Sequence, residues 1–428
     1  MVINKKKILG NRLLQDSLWA LIGSVSARGL GLLAAIVVAR LLGKDIYGEF
    51  GMIKSTLLSV AIFSTFGLGY TATKFVAEFK QDQKEKLKLF YNYSMKITLL
   101  MGSVMSIVLF IFSNSIASLV LESSHLGPPL KIVAFWVLFN ALSSTQIGIL
   151  SGFGKFKAMA KINTITGFTT FSLSVVLTYY FLLEGALIAL VLSQIVNWYL
   201  NFRVVNSSLP RNSIQLEEKK LLNEILNFSF PIALQEATYA ITSWLNYYLV
   251  IKLSNFGELG LYSAANQWLG VILFIPGILR NVILLHMSET GNDTNRHQGI
   301  LKRMLGINLV TTLLPVIVIV ILANFISGFY GDTFIGLSSV LKVTILGAVF
   351  LSLSNVYSQA FMSKGHNWPM FWIKLLYRIG IPVLFYVILI LKNGENGAFI
   401  LGVSMSVMSV VFFLMSTIYY KSKILNVN

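Results

Sequence analysis

Long apolar segments separated by short polar ones make up most of the chain. Spanning a bilayer takes about 20 mostly apolar residues, and twelve segments qualify: 14–39, 47–70, 89–112, 130–153, 159–182, 185–205, 226–251, 259–287, 303–326, 338–361, 368–391 and 397–420. Lipid offers backbone groups no hydrogen-bond partners, so such segments must be helical. The pattern predicts an all-α polytopic membrane protein with twelve transmembrane helices.

The pattern also repeats about halfway along the chain. The stretch Arg40–Phe50 (RLLGKDIYGEF) matches Lys252–Tyr262 (KLSNFGELGLY), each copy lying between two apolar segments. The match aligns two cations, two glycines and two aromatic residues: Arg40 with Lys252, Gly48 with Gly260, and Phe50 with Tyr262. Within a residue of the same offset, Leu130-Lys131 and Gly154 match Leu341-Lys342 and Gly365.

We therefore predict two pseudo-symmetric six-helix lobes around a central cavity. The N-terminal lobe covers 1–205, a polar cytoplasmic linker covers 206–223, and the C-terminal lobe covers 224–428. Because six spans keep both copies the same way up, the axis relating the lobes should run along the membrane normal.

The charges indicate the orientation. Only 12% of residues are charged, and the formal net charge is +17. If the N-terminus is inside, most of the 34 Lys and Arg residues fall at the cytoplasmic ends and loops, whereas the outer loops hold only Arg40, Lys44, Lys252 and Lys392. Lys and Arg favour cytoplasmic loops, so we expect both termini in the cytoplasm. The net charge then reflects topology, and no nucleic-acid partner is predicted.

Several function classes lack the residues they need. There are no cysteines, and the four histidines (His125, His286, His297, His366) show no metal-ligand spacing. No G-x-x-x-x-G-K-[ST] phosphate loop is present. The loops are too short for an extramembrane domain. We predict neither an enzyme nor a resident cofactor; a coupling Na⁺ or H⁺ is left open.

Cations inside the spans carry the candidate chemistry: Arg28, Lys54, Lys96, Lys131, Arg280, Lys342, Lys374 and Arg378. Only one carboxylate, Glu236, lies well inside a span. A charge at the bilayer centre costs about 2.5–3.5 kcal/mol on insertion scales, so it normally faces a cavity or a partner. Some of these cations should therefore face an anion.

Depth along the spans sorts these cations. Lys96, Lys131, Lys342 and Lys374 lie near span ends, where we expect them to snorkel to the interface. The candidates for substrate binding are Arg28 near mid-membrane, Lys54, Arg280 after the bend-prone Pro276-Gly277 pair, and Arg378. Glu236 is a possible coupling residue or charge partner.

The alternative interpretation makes these residues structural. Arg28 could pair with Glu236, and the small residues around it, including Gly29 and Gly31, could serve close helix packing. Alternatively, these small residues leave room beside Arg28 for a bulky ligand.

Four motifs carry a family resemblance: Ala39–Phe50 (ARLLGKDIYGEF), Phe66–Ala77 (FGLGYTATKFVA), Gly152–Lys155 (GFGK) and Ser363–His366 (SKGH). With them the sequence resembles polysaccharide (O-antigen, Wzx-type) flippases of the multidrug/oligosaccharidyl-lipid/polysaccharide exporter superfamily. The resemblance implies a cationic central cavity lined by spans one, two, seven and eight, which receives the diphosphate and acidic sugars of a polyprenyl-linked saccharide. Arg28, Lys54 and Arg280 fall on such spans.

The expected function is a flippase of the bacterial inner (cytoplasmic) membrane. It would move an undecaprenyl-diphosphate-linked oligosaccharide to the outer leaflet by alternating access, for O-antigen and lipopolysaccharide synthesis. Polysaccharide polymerase machinery is an expected partner. A cation-coupled multidrug exporter of the same superfamily is the first alternative, but it would need cavity carboxylates. A membrane-embedded glycosyltransferase or a scaffold is the alternative from another class.

Overall fold

The computed structural model describes residues 3–79, 84–210, 219–288, 293–392 and 394–425. Almost all of them are helical, in twelve α-helices: α1 (Ile3–Thr65), α2 (Leu68–Phe79), α3 (Lys84–Ser115), α4 (Gly127–Phe153), α5 (Phe156–Ser208), α6 (Lys219–Leu253), α7 (Phe256–Ile272), α8 (Phe274–Ser288), α9 (Thr294–Gly328), α10 (Leu337–Ser363), α11 (Asn367–Leu391) and α12 (Gly397–Tyr420). Short helical turns at Ile116–Val120, Ser124–Leu126 and Lys421–Leu425 complete the described elements.

Helix count and span count agree once the bends are considered. α1 holds the first span and most of the second, which ends in α2, and it bends at Gly43 (φ 72°, ψ 168°). α5 holds the fifth and sixth spans and bends at Leu182 (φ 47°, ψ −126°). α7 and α8 together form the eighth span, with a bend of 48° between them. The all-α polytopic fold with twelve spans is confirmed.

Proline chemistry explains the break in the eighth span. Leu273 separates α7 from α8, and Pro276 lies in the first turn of α8. Pro276 has no N–H to donate to the carbonyl of Ile272, and its ring crowds that carbonyl. The bend predicted from Pro276-Gly277 therefore occurs just before the proline.

The chain forms two compact units. Unit 1 comprises Met1–Leu42 and Met52–Trp244, and unit 2 comprises Gly43–Gly51 and Leu245–Asn428. α1 and α6 each contribute residues to both units. The predicted lobes 1–205 and 224–428 follow the sequence repeat rather than these contacts, and they stay a prediction. Residues 211–218 of the predicted linker lie outside the described residues.

Each unit is built around one central helix. In unit 1, α4 packs against α2, α3 and α5. In unit 2, α10 packs against α7, α8, α9, α11 and α12. Both central helices contain 27 residues, and they are the fourth helices of the two predicted repeats.

Buried hydroxyl pairs join corresponding helices of the two predicted repeats, about one helical turn away from the exact repeat offset. The Thr98 and Thr145 hydroxyls lie 2.8 Å apart and join α3 to α4. The Thr312 and Ser352 hydroxyls lie 3.2 Å apart and join α9 to α10. Hydroxyl pairs inside a membrane helix bundle satisfy groups that would otherwise be buried without a partner. The two repeats thus share an internal contact as well as a pattern.

The matched glycines also share their conformation. Gly154 follows α4 with φ 72°, and Gly365 follows α10 with φ 75°. Glycine is the residue that adopts a left-handed backbone without steric cost at a helix C-terminus. The two matched glycines therefore end their helices in the same way, with a left-handed residue directly after the helix.

The two repeated stretches Arg40–Phe50 and Lys252–Tyr262 contact each other inside unit 2, at their matched glycines. A Cβ on Gly48 would overlap the carbonyl oxygen of Phe256 and lie 3.0 Å from the Gly260 amide nitrogen. A Cβ on Gly260 would overlap the carbonyl oxygen of Lys44 and lie 3.2 Å from the Gly48 amide nitrogen. The contact is reciprocal because Lys44 and Phe256 are themselves related by the repeat offset.

Glu258 fastens the start of α12 to the start of α7. Its Oε2 accepts a hydrogen bond of 2.7 Å from the backbone N–H of Ala398. The Ser254 hydroxyl donates to the carbonyl of Gly394 at 3.2 Å. A carboxylate at a helix N-terminus satisfies free N–H groups and complements the helix dipole. Glu258 thus has a structural role.

Candidate functional site

The surroundings of Arg28 combine packing with open space. The Arg28 side chain is exposed on α1, and a Cβ on Gly29 or Gly31 would find no heavy atom within 4 Å. Ala27, in contrast, packs tightly against α5, since a Cβ on Gly167 would lie 3.1 Å from its Cα. One small residue of this span, Ala27, therefore packs against a neighbouring helix, and room for a ligand beside Gly29 and Gly31 stays a prediction.

Lys54 and Glu236 belong to the same unit as Arg28. Lys54 is exposed, although its neighbours Met52 and Ile53 are fully buried. Glu236 is half-buried on α6. Unit 1 thus carries three of the predicted site residues, two positive and one negative, on the first, second and seventh spans. Their predicted roles in binding and coupling stay predictions.

Unit 2 carries the other two predicted cations, and Lys374, which we predict to snorkel, lies on the same helix as one of them. Arg280 is exposed on α8, and Arg378 is half-buried on α11. Lys374 lies one helical turn before Arg378 on α11 and is half-buried. That Lys374 snorkels to the interface stays a prediction, as do the binding roles of Arg280 and Arg378.

Helix phase gives the direction of these α11 cations. At 3.6 residues per turn, Lys374 and Arg378 lie on the face opposite Trp372, Leu376 and Val383. Those three apolar side chains are 55–56% exposed, as expected of a lipid-facing surface. Lys374 and Arg378 share their own face with the buried residues of α11 and so point away from it.

The buried histidine of unit 2 has a structural environment. His297 Nδ1 lies 2.7 Å from the Tyr420 hydroxyl, and its Nε2 lies 3.1 Å from the Ser363 hydroxyl. The Ser363 hydroxyl also donates to the carbonyl of Ala360 at 2.9 Å. The side chains of His297, Ser363 and Tyr420 thus join α9, α10 and α12.

Metal-type clusters are not found in the described part of the chain. No three of its Asp, Glu and His side chains come together as a metal site would require. His366 also bonds to a tyrosine, with its Nδ1 lying 3.1 Å from the Tyr419 hydroxyl. The chemically distinctive residues within the spans are therefore the cations and Glu236.

Comparison with known proteins agrees with the helical architecture. A multidrug resistance MATE family transporter of the MOP superfamily, in its inward-facing conformation, superposes with a TM-score of 0.82. The sequences are 14% identical, and the match covers 96% of this chain and 100% of that one. The lipid II flippase MurJ, in an inward closed conformation, gives a TM-score of 0.73 at 16% identity over 95% and 88% of the two chains. At these identities the likeness shows the fold alone.

Sequence comparison identifies the family. An uncharacterized membrane protein of Methanocaldococcus jannaschii is 22% identical over 309 residues, which is 68% of this chain and 71% of that protein. The model of the family described as polysaccharide biosynthesis protein matches residues 13–282, more than half of the 428-residue chain. The chain is therefore a multi-pass membrane protein that belongs to the polysaccharide biosynthesis protein family and has the fold of the MOP superfamily transporters.

Proposed function

We propose that the protein is a flippase that moves an undecaprenyl-diphosphate-linked oligosaccharide from the cytoplasmic to the outer leaflet by alternating access. The saccharide head would cross through a water-filled cavity while the polyprenyl tail remains in lipid. The product would enter surface polysaccharide synthesis, of which O-antigen and lipopolysaccharide are the expected cases. No covalent chemistry is required of the protein.

The charge inventory of the spans is the observation that carries this proposal. Arg28, Lys54, Arg280 and Arg378 are exposed or half-buried at membrane depth, and Glu236 is the one carboxylate well inside a span. An excess of cations suits an anionic head group. Charge-assisted hydrogen bonds from arginine to phosphate are roughly twice as strong as neutral ones and are often bidentate. Cations at several depths could pass the diphosphate along.

The second transporter candidate is a cation-coupled multidrug exporter, which the fold similarity also permits. Glu236 is the observation in its favour, because a half-buried intramembrane carboxylate can bind Na⁺ or H⁺. Against it, the surrounding in-span charges are positive and would repel a cationic drug. An embedded glycosyltransferase or a scaffold finds less support. The short loops leave little room for an extramembrane saccharide site, and a passive scaffold does not need arginine at membrane depth.

Location and partners follow from the same proposal. The charge distribution among the loops supports a cytoplasmic membrane, the bacterial inner membrane in the expected case, with both termini in the cytoplasm. The partners would be the lipid-linked anionic oligosaccharide, the surrounding membrane lipids and a polysaccharide polymerase machinery.

The test compares Arg28→Ala, Arg28→Lys and Glu236→Gln in a whole-cell or reconstituted flipping assay, at matched protein level in the membrane. Arg28→Ala should abolish flipping and leave lipid-linked oligosaccharide on the cytoplasmic leaflet. Arg28→Lys should retain part of the activity, since a point charge cannot reproduce the planar fork. Glu236→Gln should cause a milder loss. Lys131→Ala, at the outer end of the fourth span, is the matched control and should flip normally.

Two outcomes would contradict the proposal. An inactive Glu236→Gln protein beside an active Arg28→Ala protein would favour cation-coupled export. Unchanged distribution of lipid-linked oligosaccharide after deletion of the gene would exclude it as the substrate.

A further inference from the structure

The fourth and sixth spans pack in a constant register inside unit 1. Gln194 Nε2 donates to the carbonyl of Phe139 at 3.4 Å, and the rings of Phe139 and Trp198 lie 5.3 Å apart. Further along the same two spans, Leu150 and Val205 belong to one buried hydrophobic cluster. Both pairs share the offset of 55 residues. The two spans therefore run parallel, with corresponding residues at the same level.

This register brings buried polar side chains to one level. Gln146 follows Phe139 by nearly two helical turns and so lies on the same face of α4. At the shared offset its counterpart is Asn201, and both side chains are 1% exposed. Ser143, one turn before Gln146 on this face, is also 1% exposed. The facing positions are Phe139, Ser143, Gln146 and Leu150 on α4, and Gln194, Trp198, Asn201 and Val205 on α5. None of them is charged.

Gln146 has no protein partner at either end of its amide. Its Nε2 and Oε1 are both buried without a hydrogen bond, as is the Ser143 hydroxyl. Among the residues that the structure describes, no other buried side chain has two such atoms. Asn201 does not supply the partner, because its Nδ2 donates to the carbonyl and to the Oδ1 of Asn197, at 2.9 and 2.5 Å. The adjacent Thr145, in contrast, has its hydroxyl partner on α3.

The chemistry of the amide restricts what can occupy this position. A primary amide needs an acceptor for its N–H groups and a donor for its oxygen. Exchanging the nitrogen and oxygen positions leaves the same two requirements. A metal cation cannot accept from an N–H, and an anion cannot donate to the oxygen, whereas water does both. Buried water typically makes about three hydrogen bonds to polar groups that would otherwise be unsatisfied.

We propose that Gln146, Ser143 and Asn201 bind at least one internal water molecule between the fourth and sixth spans. Water accepts from the amide N–H groups of Gln146 and donates to its oxygen and to the Ser143 hydroxyl, and Asn201 closes the site from α5. The site lies about 10 Å from the cytoplasmic end of each helix. It is independent of the proposed function. Because it lacks a charged ligand, it is distinct from a site for a coupling ion.

Radiolytic hydroxyl-radical footprinting of the full-length protein in nanodiscs detects such water, because radicals formed from a bound water oxidise the side chains beside it. Trp198, the counterpart of Ser143 on α5, is the reporter. Its oxidation rate should fall severalfold in Gln146→Met. Ser143→Ala is the second variant, which removes only one oxygen atom, and it should also lower the rate.

Two controls accompany the footprint. Trp244 on α6, which donates to the Thr56 hydroxyl, should be oxidised equally in every protein. Gln194→Met is the matched variant, because the amide of Gln194 already has a carbonyl partner. It should keep the wild-type oxidation rate of Trp198.

Thermal unfolding of the same proteins separates a hydrated site from an empty one. If water satisfies the amide, Gln146→Met loses those hydrogen bonds and should lower the Tm by about 2–4 °C. If the amide were buried without any partner, the same substitution would remove that penalty and raise the Tm. A higher Tm in Gln146→Met would therefore overturn the site.

Two further results would overturn the assignment. Equal oxidation of Trp198 in the wild type, Gln146→Met and Ser143→Ala would exclude a bound water, and together with a lower Tm it would indicate direct bonding between the Gln146 and Asn201 amides. A higher wild-type Tm in sodium chloride than in choline chloride at equal ionic strength, lost in Gln146→Met, would assign a Na⁺ site instead. A hydrated site in a protein that moves no lipid-linked oligosaccharide would retain the water and reject only the flippase.

Discussion

Replacement of Gly48 by alanine tests the reciprocal contact between the matched motifs. The new Cβ would overlap the Phe256 carbonyl oxygen and lie 2.7 Å from its carbonyl carbon and 3.0 Å from the Gly260 nitrogen. All three atoms are backbone, so no side-chain rotation relieves the overlap. The two helices must move apart or change their crossing angle.

The cost follows from the size of that overlap. Overpacking a well-filled interface typically costs about 1–3 kcal/mol. For a unit of this size, each kcal/mol moves the unfolding midpoint by about 2–4 °C. Gly48→Ala should therefore lower the Tm by about 2–12 °C, and Gly260→Ala should do the same from the other side. Because the two sites touch, the double variant should lose less than the sum of the single losses.

The assay is thermal unfolding of the detergent-purified protein, followed by intrinsic fluorescence. Gly306→Ala on α9 is the matched control, because a Cβ there meets no atom within 4 Å. It should leave the Tm unchanged or raise it slightly, as removal of glycine from a helix interior usually does. A Gly48→Ala protein as stable as Gly306→Ala would refute the close helix approach.

Two further variants test local features by the same measurement. Glu258→Gln should lower the free energy of unfolding by about 0.5–2 kcal/mol, because at a helix N-terminus an amide is a weaker acceptor for the Ala398 N–H than a carboxylate. The control is Glu395→Gln, at a nearby exposed position, which should leave the Tm unchanged. Equal Tm values for the two variants would contradict the capping role of Glu258. Leu182→Gly should raise the Tm, since a non-glycine residue at positive φ costs about 1–2 kcal/mol. The control, Leu183→Gly at the next residue, should lower the Tm. A lower Tm in both variants would show that Leu182 is not strained.

Much of the fold could be predicted from the sequence because the bilayer limits the possibilities. The twelve apolar stretches predict the spans. The repeat offset of about 212 residues predicts that Gly48 corresponds to Gly260 and Gly154 to Gly365. Pro276 was enough to predict a bend. In each case a local physical requirement selects a residue type that can be read from the sequence: apolar residues for a span, glycine for a positive φ, and proline where an N–H is missing.

The rest depends on information that hydropathy does not contain. The connection near Gly43 is a bend at one residue within a continuous helix, although a polar stretch there resembles a loop. Depth along a span, the only guide in the sequence, predicts that Lys374 snorkels to the interface, and this stays a prediction. The stripe Trp372, Leu376 and Val383 could equally have been a core face, since lipid tails and a protein core are similarly apolar. Helix phase became informative only when exposure identified the lipid side.

The reciprocal contact of Gly48 and Gly260 has the form of an isologous interface. In a two-fold dimer, residue i of one copy contacts residue j of the other, and j contacts i. Here Lys44 meets Gly260 and Phe256 meets Gly48, with both copies on one chain. This is the contact expected if a six-helix ancestor paired with itself before gene duplication. In such a symmetric dimer a single substitution of this glycine would alter both sides of the contact, whereas on one chain Gly48 and Gly260 each keep only one side open, so the close helix approach needs both.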